Sequence, residues 1–316
     1  MQIAQLTAEK EAAEANIEAL NASMAAAQQQ INDRAAGTQA AEAQVAQLTA
    51  DKQAEAEASA ALIYQMAGTF KSMNAYKDAK ALYEQLGDYL DSAEQAARCA
   101  DKIAEIREQS FTVRNYVTFG SYEQDNNLAN GAEPIEWLVL AREGDKALLI
   151  SRYVLDAKPY HAGYESVTWQ DCTLREWLNN EFINAAFTNA EQNAILMTDC
   201  DNSCRQSYSG WRKGSNDTQD KIFLLSYHEA FVDYFWGDRS RKCVPTAYAK
   251  AQGAVTSSEN FVAGQETCYW WTRSNGETRI RGAVVFYDGS RYQRAVDYCR
   301  NGVRPAIWVN IESGQF

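Results

Sequence analysis

From Ile3 to Leu48, apolar and small residues recur at alternating steps of three and four: Ile3, Leu6, Ala13, Ile17, Leu20, Met24, Ala27, Ile31, Ala41, Val45 and Leu48. Such a seam drifts around a straight helix and stays on one side only when the helix supercoils with a partner. The stretch QLTAEK at Gln5 returns as QLTADK at Gln47, a separation of six whole heptads. Gly37 lies inside the run without changing its phase, so the spacing predicts one continuous helix. Ile or Val at a with Leu at d favours a parallel pair, while Lys10, Arg34 and Thr38 on the seam weaken it and leave a trimer open. A long solvated single helix is the alternative reading. Over residues 1–58 the rod would extend roughly 80 to 90 Å at about 1.5 Å per residue.

The chain is split in composition. The first sixty residues hold no Trp, Tyr, Phe, Pro or Cys, whereas all eight Trp and all four Pro follow residue 130. Between them, residues 59–108 keep a helical period but gain aromatics. Tyr76-Lys77-Asp78-Ala79 and Tyr89-Leu90-Asp91-Ser92 are related units, and Gly87 reads as a helix stop followed by a new start. This collar resembles the short tetratricopeptide-like helical hairpins of bacterial multidomain proteins, and one or two hairpins are too few for a binding groove.

The formal charge of −12 argues against a general nucleic-acid binder, which needs a basic face. No apolar run reaches the roughly 18 residues of a membrane span, and the N-terminus shows no signal peptide. A chain opening mid-coil is expected to have lost an anchor or export signal. Seven cysteines at irregular spacings do not make a secreted disulfide framework. Cys200 and Cys204 are the one close pair and lack two further zinc ligands. No metal and no cofactor are expected.

Residues 109–316 read as a separate α+β domain. VTFGSYEQD and IEWLVLAREGDKALLISRYVL are strand-like, with Glu143-Gly144-Asp145 as a turn. TLREWLNNEFINAAFTNAEQNAI has helical spacing, and KIFLLSYHEAFVDYF reads as a buried strand running into a helix. The end reads as strands, with Asp288-Gly289 as a hairpin turn. The set VTFGSYEQ, IEWLVL, ALLISRYVLDAKPY, LREWLNNEF, DKIFLLS, TAYAKAQGA, WWTRS and GVRPAIWV resembles a bacterial C-type-lectin-like domain of unknown function. Its relatives include variable proteins of diversity-generating retroelements and, more distantly, formylglycine-generating enzymes. The resemblance implies a C-type-lectin-like mixed α/β head on a coiled-coil stalk, with two helices and a loop-rich surface, leaning to a bacterial cell surface. Thr272 and Asn275 depart from the residues commoner in that family.

Within this head, residues 273–304 carry seven Arg against Glu277, Asp288 and Asp297, inside an acidic chain. Tyr287, Tyr292 and Tyr298 interleave with Arg279, Arg281, Arg291, Arg294 and Arg300, while Asn275, Ser290 and Asn301 add small polar groups. Tyr and Arg are enriched at binding hot spots, so the stretch reads as a ligand face. Arg291, Tyr292, Arg294 and Tyr298 should be exposed, Trp271 and Trp308 should be core, and Arg273 and Arg304 should brace backbone. A second polar loop, Asp199 to Asp217, offers Tyr208 and Trp211 as anchors. In retroelement-diversified relatives, mutated Asn codons scatter into Tyr, Ser, Asp, Arg and Cys, the types found here. The expected activity is binding or display of an unidentified macromolecule, by a homo-oligomer. The alternatives are a formylglycine-generating-type enzyme and a purely structural assembly module. The enzyme would need a reactive thiol pair, for which Cys268 and Cys299 are the candidates, or one of the two histidines, His161 and His228. Calcium-dependent sugar binding is disfavoured because Ile135 stands in AEPIEW where an amide ligand would be needed.

Overall fold

The computed structural model describes residues 2–208 and 214–316 and separates them into two compact units, 1–103 and 104–316. In the first, α1 (Gln2–Ser72) runs unbroken through Gly37, and its seam residues stand bare, Ile3 at 83% and Leu20 at 63% exposure. The helix is rich in Ala, Gln and Glu, which lose little on entering a helix, but buries only Ala67. Its end packs on α2 (Tyr76–Leu86) and on the start of α3 (Ser92–Ser110). Ala67, Ala79, Tyr83, Ala96 and Cys99 form this small core, edged by Tyr64, whose ring meets Tyr83 at 5.4 Å. Gly87 closes α2 at φ 55°, a conformation that costs glycine nothing.

The second unit mixes helix and sheet. Strands β1 (Tyr116–Tyr122), β2 (Glu133–Glu143) and β3 (Lys146–Ser151) form an antiparallel meander, and Gly144 turns β2 into β3 at φ 61°. Residues 135–140 and 147–150 carry seven Leu, Ile or Val, all buried on a sheet covered on both faces, each contributing about 1.5–3 kcal/mol. After β4 (Asp156–Ala157) the chain turns helical in α4 (Thr173–Trp177), widens to one π-turn over Leu178–Phe182, and ends in α5 (Ile183–Ala186). Thr188 and Glu191 then cap α6 (Asn189–Ala194) reciprocally.

The short pair β5 (Thr198–Cys200) and β6 (Thr218–Asp220) brackets the polar loop. Two four- to five-residue helices, α7 (Asp238–Arg241) and α8 (Ala247–Ala251), lead to the hairpin β7 (Thr256–Val262) and β8 (Gln265–Cys268). The chain ends in β9 (Trp270–Asn275), β10 (Arg281–Val285), β11 (Arg291–Ala295), β12 (Gly302–Val303) and β13 (Ala306–Asn310). The two larger sheets have orders β1-β2-β3-β13 and β11-β10-β9-β12-β4. The apolar close PAIWV is therefore a core strand: Ala306 faces Ile150 and Val309 faces Ala147 on β3.

Two expectations need correction. Ile222 to Leu225 is buried but is not a strand. Phe223 makes a single bridge to Ala306, and the Leu224 and Leu225 carbonyls are taken by the Arg273 side chain and backbone. Trp308 is only half-buried, whereas Trp271 is fully enclosed and donates its indole N–H to the Lys158 carbonyl.

Candidate functional site

Arg273 on β9 is almost wholly buried and commits every donor it has. Its Nη1 and Nη2 grip both oxygens of Glu229, at 2.5 and 2.8 Å. Nη1 also reaches the Leu224 carbonyl, Nη2 the Asp201 carbonyl and Nε the Asn202 side-chain oxygen. Burial alone would lower its pKa, but the Glu229 carboxylate outweighs that and drives it upward, so the charge is permanent. Asn202 passes the tether on, donating to the Asn216 carbonyl and Thr218 hydroxyl. Ser274 ties the same loop by donating to the Gln206 carbonyl while accepting from the Tyr227 N–H at 2.9 Å. The polar loop is thus clamped against the start of the β9–β10 connection.

Between them lies a cleft of about 650 Å³, lined among others by Ser203, Gln206, Ser215, Asn275, Thr278 and Arg279. The hydroxyls of Ser203, Ser215 and Thr278 make no hydrogen bond among the described residues, and Arg279 makes only a 3.3 Å contact to the Gly214 carbonyl. Asn275, which also lines the cleft, is anchored through its NH₂ to the Val167 carbonyl at 2.9 Å. Asp201 is held below the ordinary carboxylate range: burial would raise it, but the Ser203 amide and the Gln206 side chain prevail.

The Arg/Tyr stretch does not make one face. A strand sends successive side chains to opposite sides, so β11 divides them. Arg291 points to the cleft side, donating to the Tyr227 hydroxyl at 3.4 Å with its guanidinium 5.9 Å from the Tyr208 ring. Tyr227 packs edge-on to Tyr208 and stacks on Phe231 at 4.7 Å. Gln293, on the same side, receives the Glu277 N–H and lies over Gly276. Tyr292 and Arg294 fall on the other side, where Arg294 sits 4.8–5.1 Å from the rings of Tyr269, Tyr292 and Tyr298 and donates to the Tyr269 hydroxyl. Phe286 and Tyr287 complete that cluster.

Arg294 and Tyr298 are consequently half-buried and not the exposed contacts expected from sequence. Asp288 and Ser290 belong to the hairpin turn, where Asp288 accepts the Ser290 N–H. Gly289 at its tip has φ 89° and lies so close to the Asp238 carbonyl that any Cβ would collide. Arg281, Asp297 and Arg300 are exposed, with Arg300 directed at the Gly253 carbonyl. Asn301 is fully buried and is no surface contact. Trp211 lies outside the described residues. Thr272, unusual for its position, donates to the Ala283 carbonyl within the sheet. The sequence reading missed Tyr227, Gln206 and Ser274. The spacing of Tyr227 and Phe231 on one helical turn was the available signal for the first.

Five thiols are buried and two, Cys204 and Cys299, are exposed. Burial pushes Cys172 and Cys200 up to about 12 and raises Cys268 well above the ordinary thiol value. Among the described residues, one acidic trio, Glu123, Asp125 and Glu133, brings its oxygens within 4.8 Å of one another. Glu133 and Asp125 already accept amides of their own loop.

No curated protein and no solved structure matches this chain. Residues 144–311, which carry the cleft, the Arg/Tyr strands and the closing core strand, match a family described as Domain of unknown function (DUF6273). That match covers more than half of the chain, and the chain belongs to this family.

Proposed function

We propose that the protein binds a macromolecular ligand through a C-type-lectin-like head, with the polar cleft and the adjoining Tyr208–Tyr227–Arg291 wall as the contact surface. The observation that carries this reading is the contrast between Arg273 and its neighbours. Arg273 has every donor committed to fixing two segments, while Ser203, Ser215, Thr278 and Arg279, which line the cleft between them, are largely uncommitted among the described residues. A rigid frame with adaptable polar groups and aromatic anchors suits recognition. The exposed positions between Asn275 and Arg300 hold Glu, Thr, Arg, Tyr, Asp and Cys, whereas the buried ones hold Gly, Ala and Val. This supports a display surface whose exchange leaves the core alone, as in a variable protein. The bare seam of α1 supports a coiled-coil oligomer that would present several copies and raise avidity.

Thiol chemistry has less support. Cys268 is sealed in the core with its thiol strongly protonated, and Cys299 is exposed on a different turn.

The test is a glycan and protein array probed with the full chain beside an Arg279→Ala/Arg291→Ala double variant. Both arginines are exposed, so the variant should melt within about 0.5 kcal/mol per site of the parent. The expected result is a set of array signals that the double variant loses. Identical signals from both proteins would place recognition elsewhere and sink the reading.

A further inference from the structure

A second cleft in the same unit holds about 390 Å³ and is separate from the first. Five cations line it, Arg114, Arg152, Arg239, Lys242 and Arg304, and no Asp or Glu does. That is an unusual concentration in a chain of net charge −12. Arg152 pairs with Glu136 at 3.0 Å, but the other four form no ion pair among the described residues. Like charges gathered without counter-charges repel, and they are kept together only where something repays the repulsion.

Arg304 gives the second observation. It is 3% exposed, packs over the Trp270 and Phe235 rings, and donates Nε–H to the Ser151 carbonyl at 2.9 Å. Its Nη1 is buried with no acceptor among the described residues. A buried, charged donor of this kind suits an oxyanion, because such donors are almost always paired. Backbone strain lies on the same rim. Arg114 adopts φ 79° without being glycine. Such outliers persist where the surrounding structure holds them and concentrate at ligand sites. Arg114 is fixed by its backbone N–H, which donates to the Val139 carbonyl, and by its guanidinium stacked 4.1 Å over Trp236. Trp236 and Tyr116 are at least half exposed and, with Tyr153, give the cleft aromatic walls.

We propose that this second cleft binds a tetrahedral oxyanion ester, a phosphate or sulfate monoester carried on a ring. The anion would meet Arg304, Arg239 and Lys242, and the ring would lie against Trp236 and Tyr116. Guanidinium forks match tetrahedral oxyanions, and the volume admits a small ligand of this kind. This site does not depend on ligand binding at the first cleft.

The probes are phenyl phosphate, phenyl sulfate and inorganic phosphate, titrated into the full chain by calorimetry and tryptophan fluorescence at low salt. Saturable binding of at least one phenyl ester is expected, with Kd on the order of 1 mM or tighter. The tighter ester names the source, and inorganic phosphate should bind at least tenfold more weakly. An Arg239→Ala/Lys242→Ala variant, altered away from the core, should fold normally and bind at least tenfold more weakly. Trp236→Phe should remove the fluorescence change. Lys146→Ala, an exposed cation lining neither cleft, should bind as the parent does. Arg304→Met should abolish binding; if it does not fold, the double variant decides. Absence of saturable binding by either ester at about 10 mM, roughly the weakest affinity worth calling a site, would overturn the proposal. So would unchanged binding in the double variant, or an equal loss in Lys146→Ala.

Discussion

Arg273 and Glu229 stand in a position where partnership matters more than attraction. A buried ion pair adds little over a well-packed apolar pair, but removing one partner leaves the other charge stranded. Glu229→Gln should therefore cost about 3–5 kcal/mol of unfolding free energy, measured by urea denaturation, because the guanidinium stays charged at every accessible pH. A loss below about 1 kcal/mol would mean that water reaches Arg273 and that the clamp is looser than its hydrogen bonds imply. The thiols sort by the same logic. A maleimide or disulfide reagent at neutral pH should modify Cys204 and Cys299 quickly and the five buried thiols only after unfolding. Fast modification of a third thiol in the folded protein would contradict the burial described. The roles of Arg273 and Arg304 as braces were legible because each stands inside a largely apolar motif, WWTRS and GVRPAIWV, where a charge needs partners. The division of Arg291 from Arg294 was not, because it depends on the register of β11, which composition does not encode.

At the scale of elements, α1 is the clearest sequence signal and the least self-sufficient structure. A helix this long, whose apolar seam is bare, draws almost no tertiary stabilisation from its own chain. Light scattering should give the full chain a dimeric or trimeric mass and a truncation beginning at Gln109 a monomeric one. Equal monomeric masses would show that Lys10, Arg34 and Thr38 defeat the seam. The β2–β3 turn at Gly144 and the Asp288-Gly289 hairpin were readable because glycine at a positive φ is a local requirement. The segment Ile222–Leu225 misled because its run of apolar residues matches a strand, while its carbonyls are taken by an arginine some fifty residues later in the chain. The π-turns at Leu178–Phe182 and Glu229–Asp233 had no sequence signal, since they add one residue to a turn without changing which side chains are apolar.

Taken as a whole molecule, the chain carries a formal charge of −12, yet one cleft is lined by five cations and by no Asp or Glu. The α+β class, the seam and the core strand PAIWV could be read from residue order. The basic cleft could not, because Arg114, Arg152, the Arg239–Lys242 turn and Arg304 come from four separate segments that only the fold brings together. The β11 margin has its own consequence. Strand β11 is the last of its sheet and pairs with β10 alone, so among the described residues one row of its backbone groups has no strand beside it. Such a row is a template on which a second molecule can zip, the starting step of precipitation and fibre growth. Exposed Arg291 on that strand makes an incoming strand lose hydration around a charge, so the residue that contacts Tyr227 also opposes such pairing.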